Sequence, residues 1–75
     1  MEFQIRLNSM EDVVKWVNRM EHYGCQAEAW MGSLVIDASS LMGLVGLGIG
    51  KLIKVVIHSE LKEDLCEELQ EFIAA

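Results

Sequence analysis

The sequence predicts an α+β domain: an antiparallel sheet covered on one face by helices. Three observations carry that expectation. Four short runs alternate apolar with polar residues, and three runs repeat apolar residues at helical spacing. The two kinds follow one another as β-α-β-β-α-β-α within 75 residues. That length makes a single domain, residues 1–75, which buries about 60–65% of the surface its unfolded chain exposes.

The first strand is the alternation of Phe3, Ile5 and Leu7 against Gln4, Arg6 and Asn8. A helix start follows, with either Asn8 capping and Glu11 three residues on, or Ser9 capping and Asp12 three residues on. Val13, Trp16, Val17 and Met20 give that helix a buried stripe, and Tyr23-Gly24 closes it. Two short strands are expected over residues 26–38 around a Gly32-Ser33 turn, with Ala27, Ala29, Met31, Leu34, Ile36 and Ala38 on the covered face. Ser40 precedes a short apolar helix, Leu41 to Leu47, and Gly48 to Gly50 form a loop. Lys51–His58 reads as a strand burying Ile53, Val55 and Ile57. Ser59 then caps a last helix with the stripe Leu61, Leu65, Leu69, Phe72 and Ile73.

Charge narrows the function classes. Twelve acids against six bases give −6, which disfavours nucleic acid, since phosphate contacts need Lys and Arg. The acidity is local: residues 59–75 carry −5 and residues 1–58 only −1. No membrane partner is expected. Leu41–Ile57 is apolar apart from Lys51 and Lys54, but a spanning helix needs about 20 apolar residues. The N-terminus lacks the basic start and apolar core of a signal peptide, so a cytoplasmic location is expected. Two cysteines, Cys25 and Cys66, suit neither a disulfide scaffold nor a metal pattern.

Catalytic chemistry finds little support. Gly43, Gly46, Gly48 and Gly50 lie in and after a short helix, with no Gly-Lys-Ser/Thr, so close packing of that helix on the sheet explains them better than a phosphate loop. His22 and His58 fall on polar parities and read as solvated, and the carboxylates of the last helix read as a solvated face. No enzyme, cofactor or metal is expected. Ser40 stands apart. It reads as a helix cap, and a phosphate there would meet free backbone N–H groups.

The segment Asp37-Ala38-Ser39-Ser40-Leu41-Met42-Gly43-Leu44-Val45-Gly46-Leu47-Gly48 resembles the signature of the HPr family. These are the histidine-containing phosphocarriers of the bacterial sugar phosphotransferase system. Their second helix opens with a Ser-Ile-Met-Gly-type run whose serine is a regulatory kinase target in many Gram-positive bacteria. The element order derived above is also the HPr order. The resemblance implies an open-faced β-sandwich with strand order 1-4-2-3 and three helices on one face. It also implies that Ser40 is the regulatory phosphorylation site, with Leu41, Met42 and Val45 as the surface a partner reads.

The departures from the family bear on activity. Ser9 stands where the carrier histidine belongs, Glu11 where an arginine and Asp12 where a proline belong. A carrier needs an imidazole nitrogen to take the phosphate and a cation beside it. The chain therefore looks like an HPr-like protein without carrier activity. Ser39 replaces the lysine that usually precedes the regulatory serine, and Asp37 adds a like charge near any phosphate.

Two functions compete: a regulatory adaptor switched at Ser40, and a constitutive protein-interaction module that uses the HPr fold as a scaffold. A carrier using His22 is a weaker third, because a late helical position lacks the anion-binding helix start. The partners implied are proteins, an HPr kinase or a transcriptional regulator. The sheet face away from the helices should also bring Trp30, Leu52 and Val56 together, either as cross-strand packing or as a homodimer contact.

Overall fold

The computed structural model describes residues 1–58 and 63–74. β4 (Leu52–Ile57) lies inside the sheet, and its alternation buries Ile53, Val55 and Ile57 beneath the helices. β1 (Glu2–Arg6) lies antiparallel along one side of β4, from Glu2 opposite Val56 to Arg6 opposite Leu52. β2 (Ala27–Met31) lies along the other side, from Ala27 opposite Ile57 to Trp30 opposite Lys54. β3 (Leu34–Asp37) pairs with β2 beyond the Gly32-Ser33 turn, which gives the order β1-β4-β2-β3. This is the expected 1-4-2-3 topology.

The three helices are α1 (Met10–Tyr23), α2 (Leu41–Leu47) and α3 (Glu63–Leu69), the last continued by a 3-10 turn over Gln70–Phe72. Their buried residues join the inward residues of the strands in one core. Trp16 is its largest member. Its ring meets Phe72 edge to face at 5.6 Å, and its Nε1–H donates to the Ala38 carbonyl at 2.8 Å. One side chain thus ties α1 to the C-terminal turn and to the entry of α2, with its polar atom satisfied.

Local chemistry sets the helix ends. Ser9 Oγ accepts from the Asp12 N–H at 3.1 Å, and an Asp12 carboxylate oxygen accepts from the Asn8 N–H at 3.1 Å. Of the two caps left open by the sequence, Ser9 is the one used. Gly43 has a different role. A Cβ there would sit 2.7 Å from Ile36 Cδ1, so glycine lets α2 settle on the sheet without moving the Ile36 side chain. Gly46 faces open space, and the expectation that every glycine of the run serves close packing fails there. Gly48 ends α2 at φ 112°, a conformation that a side chain would strain.

Two further expectations need correction. Leu34 has the parity of the covered face, from which the sequence predicts burial, but is 58% exposed. It lies on the edge strand, two residues before the Ile36 on which α2 packs. The final helix was expected to carry Ile73 on its buried stripe. Instead the backbone turns extended at Ile73, which forms a β-bridge with Ile5 and is 42% exposed. The Ala74 N–H donates to the Gln4 carbonyl at 2.9 Å, so backbone pairing along β1 ends the helical path. Ser59 and Leu61 lie outside the described residues.

Among the described residues no helix is long and apolar enough to cross a membrane. Cys25 is buried and Cys66 half-buried, and neither is in a disulfide.

Candidate functional site

The entry to α2 is assembled by short-range hydrogen bonds. Asp37 ends β3, and its Oδ1 accepts from the Ser39 N–H at 2.9 Å and the Ser39 hydroxyl at 2.7 Å. The Ser39 backbone N–H first, and its hydroxyl second, hold the Asp37 carboxyl below its usual range. The Asp37 carbonyl also accepts from the Ser40 N–H at 3.0 Å. Ser40 is held extended, and its Oγ accepts from the Gly43 N–H at 3.2 Å. Its hydroxyl oxygen therefore acts as the cap that the sequence predicts.

Around this entry the apolar surface is open. Leu41 and Val45 are each 37% exposed and Met42 is 82% exposed, while Leu44 and Leu47 turn into the core. The resemblance named the three outer residues. It did not name Met10 and Val14 on α1, or Ile49 after α2, which are exposed as well. Met10 and Val14 are spaced one turn apart, just off the buried stripe of Val13 and Val17. That offset was the available signal.

Ser9, which the resemblance aligns with the family's carrier histidine, is engaged as the α1 cap. Glu11 reaches Lys15 Nζ at 3.3 Å one turn on. No imidazole is close. His22 stands in the last turn of α1, its ring edge to face with Tyr23 at 5.0 Å, and about 20 Å of helix separates it from Ser9. His58 is exposed but not simply solvated, as its Nε2 lies 2.7 Å from Glu28 Oε1. That pair lines an open cleft at the ends of β2, β3 and β4, together with Asp37 and Ser39. Among the described residues no group of His, Cys, Asp and Glu could hold a metal ion.

On the open face of the sheet, Trp30 lies opposite Lys54, whose ammonium stands 5.2 Å from the ring centroid. Leu52 and Val56 are diagonal neighbours of Trp30 on either side of that lysine. The three residues do come together, but Lys54 interrupts the apolar patch, and it also reaches Glu2 at 3.6 Å. The Trp30 Nε1–H is shielded and meets no acceptor among the described residues.

The acids of the C-terminal segment are more than a solvated face. Arg19 Nη1 donates to the Glu68 carbonyl at 2.7 Å, meets Glu71 at 3.2 Å, and its guanidinium lies 5.1 Å from the Phe72 ring centroid. A hydrogen bond from the Tyr23 hydroxyl to the Glu68 carboxylate, with partial burial and the charges of Glu68 and Asp64, raises the Tyr23 phenol above its ordinary value.

Comparison with solved structures places this arrangement in a known fold. HPr-C-His from Thermoanaerobacter tengcongensis superposes with a TM-score of 0.74 at 18% identity, over 95% of this chain and 88% of that one. The phosphocarrier protein HPr from Bacillus anthracis str. Ames superposes with a TM-score of 0.72 at 15% identity, over 99% and 96% of the two chains. No family model and no curated protein matches the sequence. The chain has the HPr fold. At such identities the likeness is one of fold.

Proposed function

We propose that this chain is a regulatory protein on the HPr fold, related to the bacterial sugar phosphotransferase system. It carries no phosphate at the family's carrier position and is switched by phosphorylation at Ser40. The observation that carries this reading is Ser40 itself. It caps α2 beside the exposed Leu41, Met42 and Val45, and the motif resemblance sets it where the family has its regulatory serine. A phosphate on Ser40 would sit against the first backbone N–H groups of α2, and the apolar residues would flank it as the surface a protein partner reads. The protein is not an enzyme in this reading. It acts in the cytoplasm through protein partners, an HPr kinase or a transcriptional regulator.

Loss of the carrier role is supported by the chemistry around Ser9. A serine phosphate ester is too stable to pass on, and Glu11 and Asp12 place negative charge where the phosphate needs a cation. The second reading, a constitutive interaction module, has one observation in its favour. Asp37 is held ionised close to Ser40, and Ser39 supplies no positive charge to offset it.

Intact mass after two incubations separates these readings. A bifunctional HPr kinase with ATP is expected to add one phosphate. Phosphoenolpyruvate with the first phosphotransferase enzyme is expected to add none. An acid-labile phosphate from the second incubation overturns the non-carrier reading, and an unchanged mass from both favours the constitutive module.

A further inference from the structure

The two edges of the sheet are treated differently by the chain. The outer edge of β1 is covered by the Ile73 bridge to Ile5 and the Ala74 N–H bond to Gln4. Nothing among the described residues pairs with the outer edge of β3. Natural sheets protect such edges with lysine, proline, a bulge or an inward-pointing charge. β3 reads Leu34-Val35-Ile36-Asp37 and has none of these along its first three residues.

The ladder shows what that edge offers. Met31 and Leu34 flank a two-residue turn, and the Ala38 N–H donates to the Ala27 carbonyl at 3.0 Å. The residues that exchange backbone hydrogen bonds with β2 are therefore Leu34, Ile36 and Ala38. The N–H and C=O of Val35 and the N–H of Asp37 point away from the sheet. Side chains alternate across the same strand. Ile36 packs under α2, Leu34 lies on that side at 58% exposure, and Val35 lies on the open face at 41% exposure, opposite Trp30.

We propose that β3 pairs with β3 of a second copy of this chain, antiparallel about a two-fold axis at Val35, joining two sheets into one of eight strands. The strand is complementary to itself in this register. The Val35 N–H of each copy donates to the Val35 carbonyl of the other, which satisfies both outward groups. On the helix side Leu34 faces Ile36 of the second copy, apolar against apolar, twice by symmetry. The only charged residue of the strand, Asp37, falls opposite Ser33 of the second copy and meets no like charge. A charged peptide would find no opposite charge along Leu34–Ile36, so the edge suits its own sequence best. The contact is short and lies below the about 1,000 Å² typical of stable interfaces, so a dissociation constant on the order of 10–500 µM is expected.

Sedimentation of the full chain between about 10 µM and 1 mM spans that range. The wild type is expected to move from monomer toward dimer. Val35→Pro removes an outward N–H without touching the β2–β3 ladder, and it is expected to stay monomeric throughout. Amide exchange on the wild type gives an independent reading. The Val35 amide is expected to slow several-fold as concentration rises, while the Trp30 amide, which faces β4, stays constant. A wild type that is still monomeric at the highest concentration overturns the proposal. So does a dimer that survives Val35→Pro, or one whose Val35 exchange does not depend on concentration.

Discussion

Ser40 and Asp37 show how much of the α2 entry rests on single side chains. The Ser40 hydroxyl oxygen satisfies one of the backbone donors that every helix start leaves over. Ser40→Ala should lower unfolding stability by about 0.5–2 kcal/mol, and Ser40→Asp, a good cap, should recover most of the loss. Chemical denaturation of the three proteins checks this. Asp37 adds a pH dependence. Its folded carboxyl is held below the unfolded value by Ser39, so its contribution is present above the unfolded pKa and is lost as pH falls through the folded one. Stability measured across the acidic range should therefore fall less steeply in Asp37→Asn than in the wild type. The cap was legible in the sequence, since a serine before an apolar run is a local signal. The Ser39–Asp37 bonds were not foreseen, because they depend on how β3 turns into α2.

At the scale of elements, α1 is joined to the C-terminal segment by contacts between residues far apart in the chain. Arg19 lies 49 positions before the Glu68 carbonyl it bonds, and it also holds Glu71 and covers Phe72. Placed on a polar helical face, it gave no sign of this in the sequence. Arg19→Ala should cost about 1–3 kcal/mol, more than an exposed ion pair would, because a charged hydrogen bond to backbone and packing on Phe72 are lost together. A cost under about 0.5 kcal/mol in denaturant melts would place Arg19 among ordinary surface cations. The same scale explains the misplaced residues. Periodicity reports which face a residue takes, but not whether a helix covers that face. Leu34 has the buried parity and is exposed on an edge strand, while Ile73 leaves its helical stripe to bridge β1.

For the molecule as a whole, element order and helix caps followed from local patterns, whereas strand order came from the resemblance around Ser40. Pattern alone does not choose among antiparallel arrangements of four strands, and the TM-scores of 0.74 and 0.72 to the two HPr structures agree with the order the resemblance implied. The exposed apolar surface was half legible. Leu41, Met42 and Val45 came with the family motif, but the exposure of Met10, Val14 and Ile49 depends on how α1 and α2 pack. The charge is distributed to suit this division. The acidity sits in the C-terminal segment, and the Leu41–Leu47 helix carries no charge at all. A switch at Ser40 would thus add close to two negative charges to a helix that carries none, next to the Asp37 carboxylate. The most direct measurement is to locate the phosphate by fragmentation mass spectrometry after incubation with a bifunctional HPr kinase and ATP. The phosphate is expected on Ser40 alone and absent from Ser40→Ala. Phosphate on Ser9 or Ser39, or equal labelling of Ser40→Ala, would contradict the account.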